Sequence, residues 1–183
     1  MRIQPLEQPP TLLTRIAYWG SRWMLGKVMT PMKVVFARVP SALFGHLQIV
    51  RALDGKLSID PELRLLLQTM TAGINRCGFC LDIGRAMAVR RHGDLDKVLA
   101  VASYRTDARF TARERAALAY VEEATRNKQV SDATFAALRE HFDDKQIVEI
   151  TWLNAVENYF NLINVPLEIE SDGLCAIAER RAA

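Results

Sequence analysis

The chain has 183 residues, of which half are apolar and a quarter are charged, and its formal net charge is +3. This length suits one domain with a full core and an arm, and it excludes two large domains. Three cysteines exclude a secreted disulfide framework, and no apolar run reaches the length of a membrane span. The N-terminal residues also lack the pattern of a secretory signal, so we expect a protein of the reducing cytoplasm.

Positive charge is concentrated in the first third of the chain. Residues 1–60 carry eight Lys or Arg against three Asp or Glu, and residues 8–53 contain no acid. Tryptophans and methionines lie among these bases, a pattern typical of a helix on anionic lipid or on nucleic acid. We favour a basic helical arm, residues 1–39, that packs on the body or on another subunit. We expect no nucleic acid partner and disfavour membrane contact, and residues 40–183 are predicted to form the main domain.

Signals along the chain are nearly all helical. Residues 11–30 have helical composition, and Pro31 interrupts them before Pro40 opens a second segment. Asp60-Pro61 predicts the next helix start, because an aspartate side chain caps free amides and proline tolerates the first helical position.

Helix signals continue through the second half of the chain. A helix from about Cys77 is expected to end at Gly93 as its C′ residue, and Thr111-x-x-Glu114 is a capping box. Further helices are predicted after Gly93, after Ser131 and over residues 144–163. No stretch alternates like a half-buried strand for more than a few residues, so the predicted class is all-α.

The pair Cys77 and Cys80 is separated by two residues at a predicted helix start. A helix N-terminus stabilises negative charge, and the thiolate is the reactive form of cysteine. Two cysteines at this spacing can close a disulfide within the helix, so the pair suits cycling between dithiol and disulfide. Arg76 would add to thiolate stabilisation if its side chain turned inward.

Other interpretations of the cysteines stay open. Both members of the pair could be small core residues, because free cysteine is often buried. Zinc is disfavoured, since a structural site needs four ligands, no second CxxC exists and the histidines show no paired spacing. We therefore expect no metal. Cys175 is interpreted as an ordinary C-terminal thiol.

A narrow polar stripe marks the last long helix. Residues 151–163 are apolar on most sides, yet Asn154, Glu157, Asn158 and Asn161 recur at i, i+3, i+4 and i+7. The stripe either faces solvent, or satisfies backbone groups in a helix interface, or faces the cysteine pair. In the last case Glu157 would accept a proton and Asn158 would donate a hydrogen bond.

A resemblance to a known family rests on three segments: DPELRLLLQTMTAGINRCGFCLDIGRAMAVRRHG, TARERAALAYVEEAT and IVEITWLNAVENYFNLINVPL. Together they resemble the carboxymuconolactone decarboxylase family, and specifically its alkylhydroperoxidase, or AhpD-like, branch. The resemblance implies an all-helical subunit that forms dimers, trimers or hexamers and holds no bound cofactor.

The resemblance also implies a chemistry. In active members of the branch, the second cysteine attacks a hydroperoxide and the first resolves the sulfenic acid as a disulfide. An external dithiol reductant, a protein or a small thiol, then restores both. By position, Cys80 would be the peroxidatic residue and Cys77 the resolving residue.

This sequence departs from the family pattern at the proton relay. The family has a glutamate and a histidine where this chain has Leu65 and Gly84, and neither residue can move a proton. Candidate replacements are Glu62, His92, and Glu157 and Asn158 on the last long helix. We predict a thiol peroxidase acting on hydrogen peroxide or organic hydroperoxides, weakened by the altered relay. The alternatives are a non-redox member of the same fold, such as a lactone decarboxylase, and an oligomeric binding or redox-sensing protein.

Overall fold

The chain folds into helices joined by short connections. The computed structural model describes residues 1–53, 55, 57–91 and 93–182. Within those residues the α-helices are α1 (Leu12–Leu25), α2 (Pro40–Leu53), α3 (Pro61–Ile74), α4 (Gly78–Arg90), α5 (Leu95–Leu99), α6 (Ala112–Asn127), α7 (Asp132–Arg139), α8 (Asp144–Asn164) and α9 (Leu174–Ala182). A π-helical turn (Met32–Phe36) precedes α2, and a 3₁₀ turn (Val101–Ser103) follows α5. This described part of the chain contains no strand, so the predicted all-α class is confirmed.

Side-chain caps fix helix starts where the sequence predicts them. Asp60 Oδ1 accepts a hydrogen bond from the N–H of Leu63 at 2.8 Å, with Pro61 in the first position of α3. Thr111 and Glu114 exchange both hydrogen bonds of a capping box at the start of α6. Each cap satisfies amides that a helix leaves unpaired, which stabilises the helix by about 1 kcal/mol.

The predicted end of α4 is wrong in its last residues. The helix ends at Arg90 with Arg91 as its C-cap, and the N–H of Gly93 donates to Ala88 O at 2.9 Å. This main-chain bond closes the helix without a left-handed residue at the glycine. A left-handed glycine does end α1, where Gly26 has a φ of 87°.

The largest part of the core lies where α3 packs against α6 and α8. Leu63, Leu66 and Leu67 of α3 are fully buried there, with Leu118 of α6 and Ile150 of α8. Each such side chain stabilises the fold by about 1.5–3 kcal/mol through apolar burial. Because α3 also packs on α4, this core holds the helix that begins at the cysteine pair.

The N-terminal segment folds onto the C-terminal part of the chain. The Asp172 carboxylate accepts hydrogen bonds from the backbone N–H and the hydroxyl of Thr30 at 2.7 and 2.8 Å, and it pairs with Lys27 Nζ at 2.9 Å. Tyr18 is buried, and its hydroxyl donates to Leu6 O at 2.7 Å. The structure therefore places this segment on the body of its own chain. A domain boundary at residue 39 stays a prediction.

The outward face of α1 is apolar. The helix buries a face formed by Thr14, Tyr18, Ser21 and Leu25. The opposite face consists of large side chains that are 59–73% exposed: Leu12, Ile16, Trp19 and Trp23. Across the described ranges, no helix has both the length and the apolar character needed to cross a lipid bilayer.

Buried Asp82 docks α9 on α4. Its carboxylate accepts hydrogen bonds from the N–H groups of Asp172, Leu174 and Cys175 at 3.0, 2.8 and 2.9 Å. These are free amides at the start of α9. Burial by itself would raise the pKa of Asp82. The hydrogen bonds from these amides and from Ser171 outweigh burial and hold that pKa below its ordinary value.

Candidate active site

The cysteine pair lies at the junction of α3 and α4. Asn75 is the C-cap of α3, Arg76 has a φ of 56°, and Cys77 is the extended N-cap of α4. Cys77 Sγ accepts a hydrogen bond from the N–H of Cys80 at 3.3 Å. The two cysteines form a disulfide, and their Cα atoms are 5.3 Å apart. The pair can therefore close within the first turn of the helix, as its spacing predicts.

The two sulfurs have different surroundings. Cys77 is fully buried, whereas Cys80 is 6% exposed and forms part of the wall of a cavity. A molecule entering the cavity therefore meets Cys80, and Cys77 lies behind it. This difference is independent of any family resemblance.

The cavity has a volume of about 600 Å³. Most of its wall is apolar, and the largest apolar side chains include methionines and phenylalanines: Met24, Met29, Met32, Phe36, Phe79, Met87 and Phe160. The polar residues in the wall include His46, Arg64, Gln68, Glu157 and Asn164. An apolar cavity with a few placed polar groups is the usual form of a small-molecule site.

Two amide groups of α8 contact the Cys80 sulfur. Asn161 Nδ2 lies 3.1 Å from Cys80 Sγ, and Asn164 Nδ2 lies 3.5 Å from it. Both asparagines are buried. Because amide donors stabilise an anionic sulfur more than a neutral thiol, this arrangement favours the thiolate of reduced Cys80.

Glu157 is adjacent to this contact. Its Oε1 accepts a hydrogen bond from Asn161 Nδ2 at 2.7 Å, and the residue is 5% exposed in the cavity wall. Burial raises the pKa of Glu157 to about 7, although hydrogen bonds from Asn161 and Gln68 act to lower it. A carboxyl group with this pKa can accept and return a proton near neutral pH. The Asn161 amide nitrogen therefore contacts both the Glu157 carboxyl group and the Cys80 sulfur.

Asn158 is directed elsewhere. Its Oδ1 accepts from Asn75 Nδ2 at 2.9 Å, and its Nδ2 donates to Asn154 O at 2.9 Å. Asn154 Oδ1 in turn accepts from the hydroxyls of Thr71 and Thr125, each at 2.9 Å. This half of the stripe joins α8 to α3 and α6. The expected donor role of Asn158 at the sulfurs is therefore corrected: Asn161 occupies that place, three residues further along the helix.

The two altered relay positions face each other in the cavity wall. A Cβ atom at Gly84 would lie 3.3 Å from Thr69 Oγ1 and 3.9 Å from Leu65 Cδ1. Leu65 and Gly84 both line the cavity with Cys80. Where the resemblance implies a glutamate and a histidine, this chain has Leu65 and Gly84, and among the described residues the carboxyl group in the cavity wall is that of Glu157.

Of the remaining candidate replacements, Glu62 is not brought to the cavity. Glu62 is exposed and pairs with Lys97 Nζ at 2.8 Å on the protein surface. His92 lies outside the described residues.

The expected contribution of Arg76 is also corrected. Its side chain is exposed and forms no part of the cavity wall, and the residue occupies the left-handed turn between α3 and α4. The donors at Cys80 come from α8 instead. Cys175 lies on α9, with its sulfur 3.7 Å from Glu179 Oε1, and is a free thiol.

The sequence does not predict two residues that contact the Cys80 sulfur. Asn161 belongs to the predicted stripe without a predicted role, and Asn164 extends the same stripe by a further three residues. Their spacing was the available signal. Nothing in the spacing shows that both asparagines, more than 80 positions after Cys80 in the chain, contact the Cys80 sulfur.

Comparisons with known proteins agree with this architecture. The model of the carboxymuconolactone decarboxylase family matches residues 38–123. The chain is 34% identical to the uncharacterized protein YnjA of Escherichia coli (strain K12) over 184 aligned positions, covering 100% of both proteins. The chain is therefore related to YnjA over its full length.

Solved structures share the fold. The crystal structure of the debrominase Bmp8 superimposes with a TM-score of 0.82 at 17% identity, covering 99% of this chain and 97% of that one. The alkylhydroperoxidase AhpD core of a peroxidase-related protein from Ralstonia eutropha JMP134 gives a TM-score of 0.77 at 19% identity, covering 95% and 96%. At these identities the likeness is one of fold.

Proposed function

This chain belongs to the carboxymuconolactone decarboxylase family, and we propose that it is a thiol-dependent oxidoreductase that reduces hydroperoxides through a Cys77–Cys80 disulfide cycle. One observation carries the proposal. Cys80 presents its sulfur to an apolar cavity, receives amide contacts from α8 and lies one amide away from the carboxyl group of Glu157.

The first step forms the nucleophile. In the reduced protein, the Glu157 carboxylate takes the proton of the Cys80 thiol, directly or through a cavity water. The amide groups of Asn161 and Asn164 stabilise the resulting thiolate. The start of α4 adds the favourable field of a helix N-terminus.

The second step breaks the peroxide bond. The Cys80 thiolate attacks the terminal oxygen of the hydroperoxide, the S–O bond forms and the O–O bond breaks. Cys80 is oxidised to a sulfenic acid, and the leaving alkoxide takes the proton from Glu157 to become an alcohol.

The third step closes the disulfide. The Cys77 thiol attacks the sulfenic sulfur, the S–S bond forms, and water leaves. Cys77 is the N-cap of α4, and the disulfide with Cys80 closes within the first turn of that helix. An external dithiol, a protein or a small thiol of a reducing cytoplasm, then returns the pair to the reduced state, so the cycle needs no bound cofactor.

Thiol counting during rapid mixing tests the cycle. With cumene hydroperoxide, the reduced wild type should lose two of its three thiols and form the Cys77–Cys80 disulfide. Cys77→Ser should instead accumulate a sulfenic acid at Cys80 that dimedone traps. Cys175→Ser is the matched control and should behave as the wild type.

The Cys80→Ser variant tests the role of Cys80 directly. If Cys80→Ser consumes the hydroperoxide at the rate of the wild type, the proposed cycle is wrong. If no variant or wild-type protein loses thiols, the fold instead serves a non-redox or binding function.

A second candidate reaction is reductive removal of a halogen from an aromatic ring. The cavity wall contains Phe36, Phe79 and Phe160, which suit a flat ring, and the chain matches the fold of the debrominase Bmp8 in its complex with 2,3,4-tribromopyrrole over its full length. The Cys80 thiolate would attack the halogen, the ring carbon would take the proton from Glu157, and Cys77 would displace halide as the disulfide forms. The test compares the rate of bromide release from tribromopyrrole with the rate at which cumene hydroperoxide oxidises the cysteine pair under the same conditions. The faster reaction identifies the better substrate.

We also propose that copies of this chain associate. The exposed apolar face of α1 would be covered by a second copy, since two tryptophans, a leucine and an isoleucine on one helix face are mostly exposed and large contiguous apolar surfaces mark interaction sites. Met24 belongs to both α1 and the cavity wall, so association at α1 would also border the site.

A further inference from the structure

Two polar atoms in the cavity wall have no partner. Among the buried side-chain nitrogen and oxygen atoms of the described residues, His46 Nδ1 and Asn164 Oδ1 form no hydrogen bond. Both residues line the cavity that contains Cys80. An unpaired buried polar atom is destabilising and rare in folded proteins. Two of them in one cavity point to a ligand that pairs with them.

Asn164 is held in a defined position. It is 3% exposed, ends α8, and its backbone carbonyl accepts the N–H of Ile169 at 3.0 Å. Its Nδ2 contacts Cys80 Sγ at 3.5 Å, so the Oδ1 of the same amide group is left as an acceptor close to the reactive sulfur. A hydrogen-bond donor seated on this Oδ1 would therefore lie beside Cys80.

His46 is held by aromatic packing. Its ring centroid lies 4.3 Å from that of Phe36 and 5.4 Å from that of Phe160, which is four residues before Asn164 on α8. Burial lowers the pKa of His46, so the neutral imidazole predominates at neutral pH. Neutral imidazole offers one donor and one acceptor nitrogen, and can therefore pair with a hydroxyl or an N–H group.

We propose that Asn164 Oδ1 and His46 Nδ1 form a polar anchor that selects the substrate. The anchor takes an apolar molecule that carries one O–H or N–H donor on the atom that Cys80 attacks or next to it. The apolar body packs on the methionine and phenylalanine wall, and the one hydrogen of the donor group is shared between Asn164 Oδ1 and an unprotonated His46 Nδ1. In a hydroperoxide the donor is the O–H of the terminal oxygen, and in a pyrrole it is the ring N–H. This inference deepens the proposed function and rests on it for the role of Cys80.

Binding of unreactive ligands tests the anchor. The oxidised full-length protein cannot turn over, and is titrated by calorimetry with 2-phenyl-2-propanol and with its methyl ether, which lacks the donor. Pyrrole and N-methylpyrrole form a second matched pair. We expect the donor-bearing member of at least one pair to bind about tenfold more tightly than its methylated form, the effect of one net hydrogen bond.

Variants assign that preference to named atoms. Asn164→Leu removes the acceptor at similar volume, and His46→Phe keeps the aromatic packing; each should reduce the tenfold preference to about twofold or less. Met87→Leu, an apolar change in the same wall, should preserve it. If Asn164→Leu fails to fold, the binding preference of His46→Phe still tests the anchor.

The outcomes separate the two proposals. Equal or absent binding of both members in both pairs overturns the anchor, as does a preference that survives both variants. Hydroperoxide reduction without this preference contradicts the anchor alone. A preference without any thiol oxidation supports the anchor as a binding site and contradicts the proposed reaction.

Discussion

Glu157 owes its behaviour to where its side chain lies. A carboxyl group on the surface of a helix is ionised at neutral pH, but this one is buried against an apolar cavity with amide groups as its partners. Burial penalises the charged form and raises the pKa of Glu157 to about 7. The same penalty that makes the residue a usable proton acceptor therefore makes the folded state sensitive to pH.

The stability of the protein should fall as this group ionises. Because the folded-state pKa of about 7 lies above the ordinary value of 4.5, the folded state holds the proton more tightly than the unfolded state between those values. The contribution is fully present below about pH 4.5 and is lost as pH rises through about 7, a difference on the order of 3 kcal/mol. Urea unfolding of the oxidised protein at pH 5, 6, 7 and 8 measures it.

Two variants assign that loss to the residue. Glu157→Gln cannot ionise and should lack this component of the pH dependence. Glu62→Gln, at an exposed position, should keep it. Parallel stability curves for wild type and Glu157→Gln would contradict the assignment.

The spacing of residues along α8 and α4 determines which side chains reach the cavity and which join neighbouring helices. On α8, Asn161 and Asn164 reach the sulfur while Asn154 and Asn158 join the neighbouring helices, so one stripe serves both the site and the packing. On α4, Cys80 and Gly84 border the cavity, while Asp82 points away from it and caps α9. Alternate residues of one helix thus line the cavity and hold α9.

Removal of the Asp82 carboxylate should loosen α9. Asp82→Ala leaves three amides without their acceptor and is expected to reduce the free energy of unfolding by roughly 2–4 kcal/mol. Because the pKa of Asp82 is depressed, its contribution is present above its ordinary value and is lost as pH falls through the lower folded-state value. Hydrogen exchange at the amides of Leu174 and Cys175 should accelerate in this variant.

The matched control for this change is Asp132→Ala, an exposed acid in the first turn of α7. It should change stability by less than about 1 kcal/mol and leave exchange in α9 unaltered. Full protection of the α9 amides in Asp82→Ala would show that packing on α4 alone holds the helix.

The molecule as a whole is assembled from segments that are distant in the chain. The N-terminal segment packs on residues near the C-terminus, and it supplies part of the cavity wall through Met24, Met29 and Met32. Its outward face remains apolar. The segment therefore lines the cavity on one side, and on the other side the apolar face of α1 is exposed.

Association through α1 predicts a measurable mass. The wild type should elute as an oligomer of the 20.6 kDa chain in light-scattering chromatography. The double variant Trp19→Glu/Trp23→Glu should shift it toward the monomer, because charge on this face opposes burial. Leu99→Glu, at an exposed leucine on α5, should leave the mass unchanged. A monomeric wild type, or an unchanged mass in the double variant, would contradict association at α1.

Local physics determined much of this protein from its sequence alone. Helix periodicity, the caps at Asp60 and Thr111, and the CxxC spacing depend on residues a few positions apart, so they predicted the all-α class and a disulfide-capable pair at a helix start. Tertiary packing decided the rest. The way α3, α4 and α8 meet determines that Asn161, and not Asn158, contacts the Cys80 sulfur. It also determines the exposure of Arg76, the unpaired Asn164 Oδ1 and the cavity itself. Those contacts join residues some 80 positions apart, and the desolvation that tunes Glu157 exists only after the chain has closed around it.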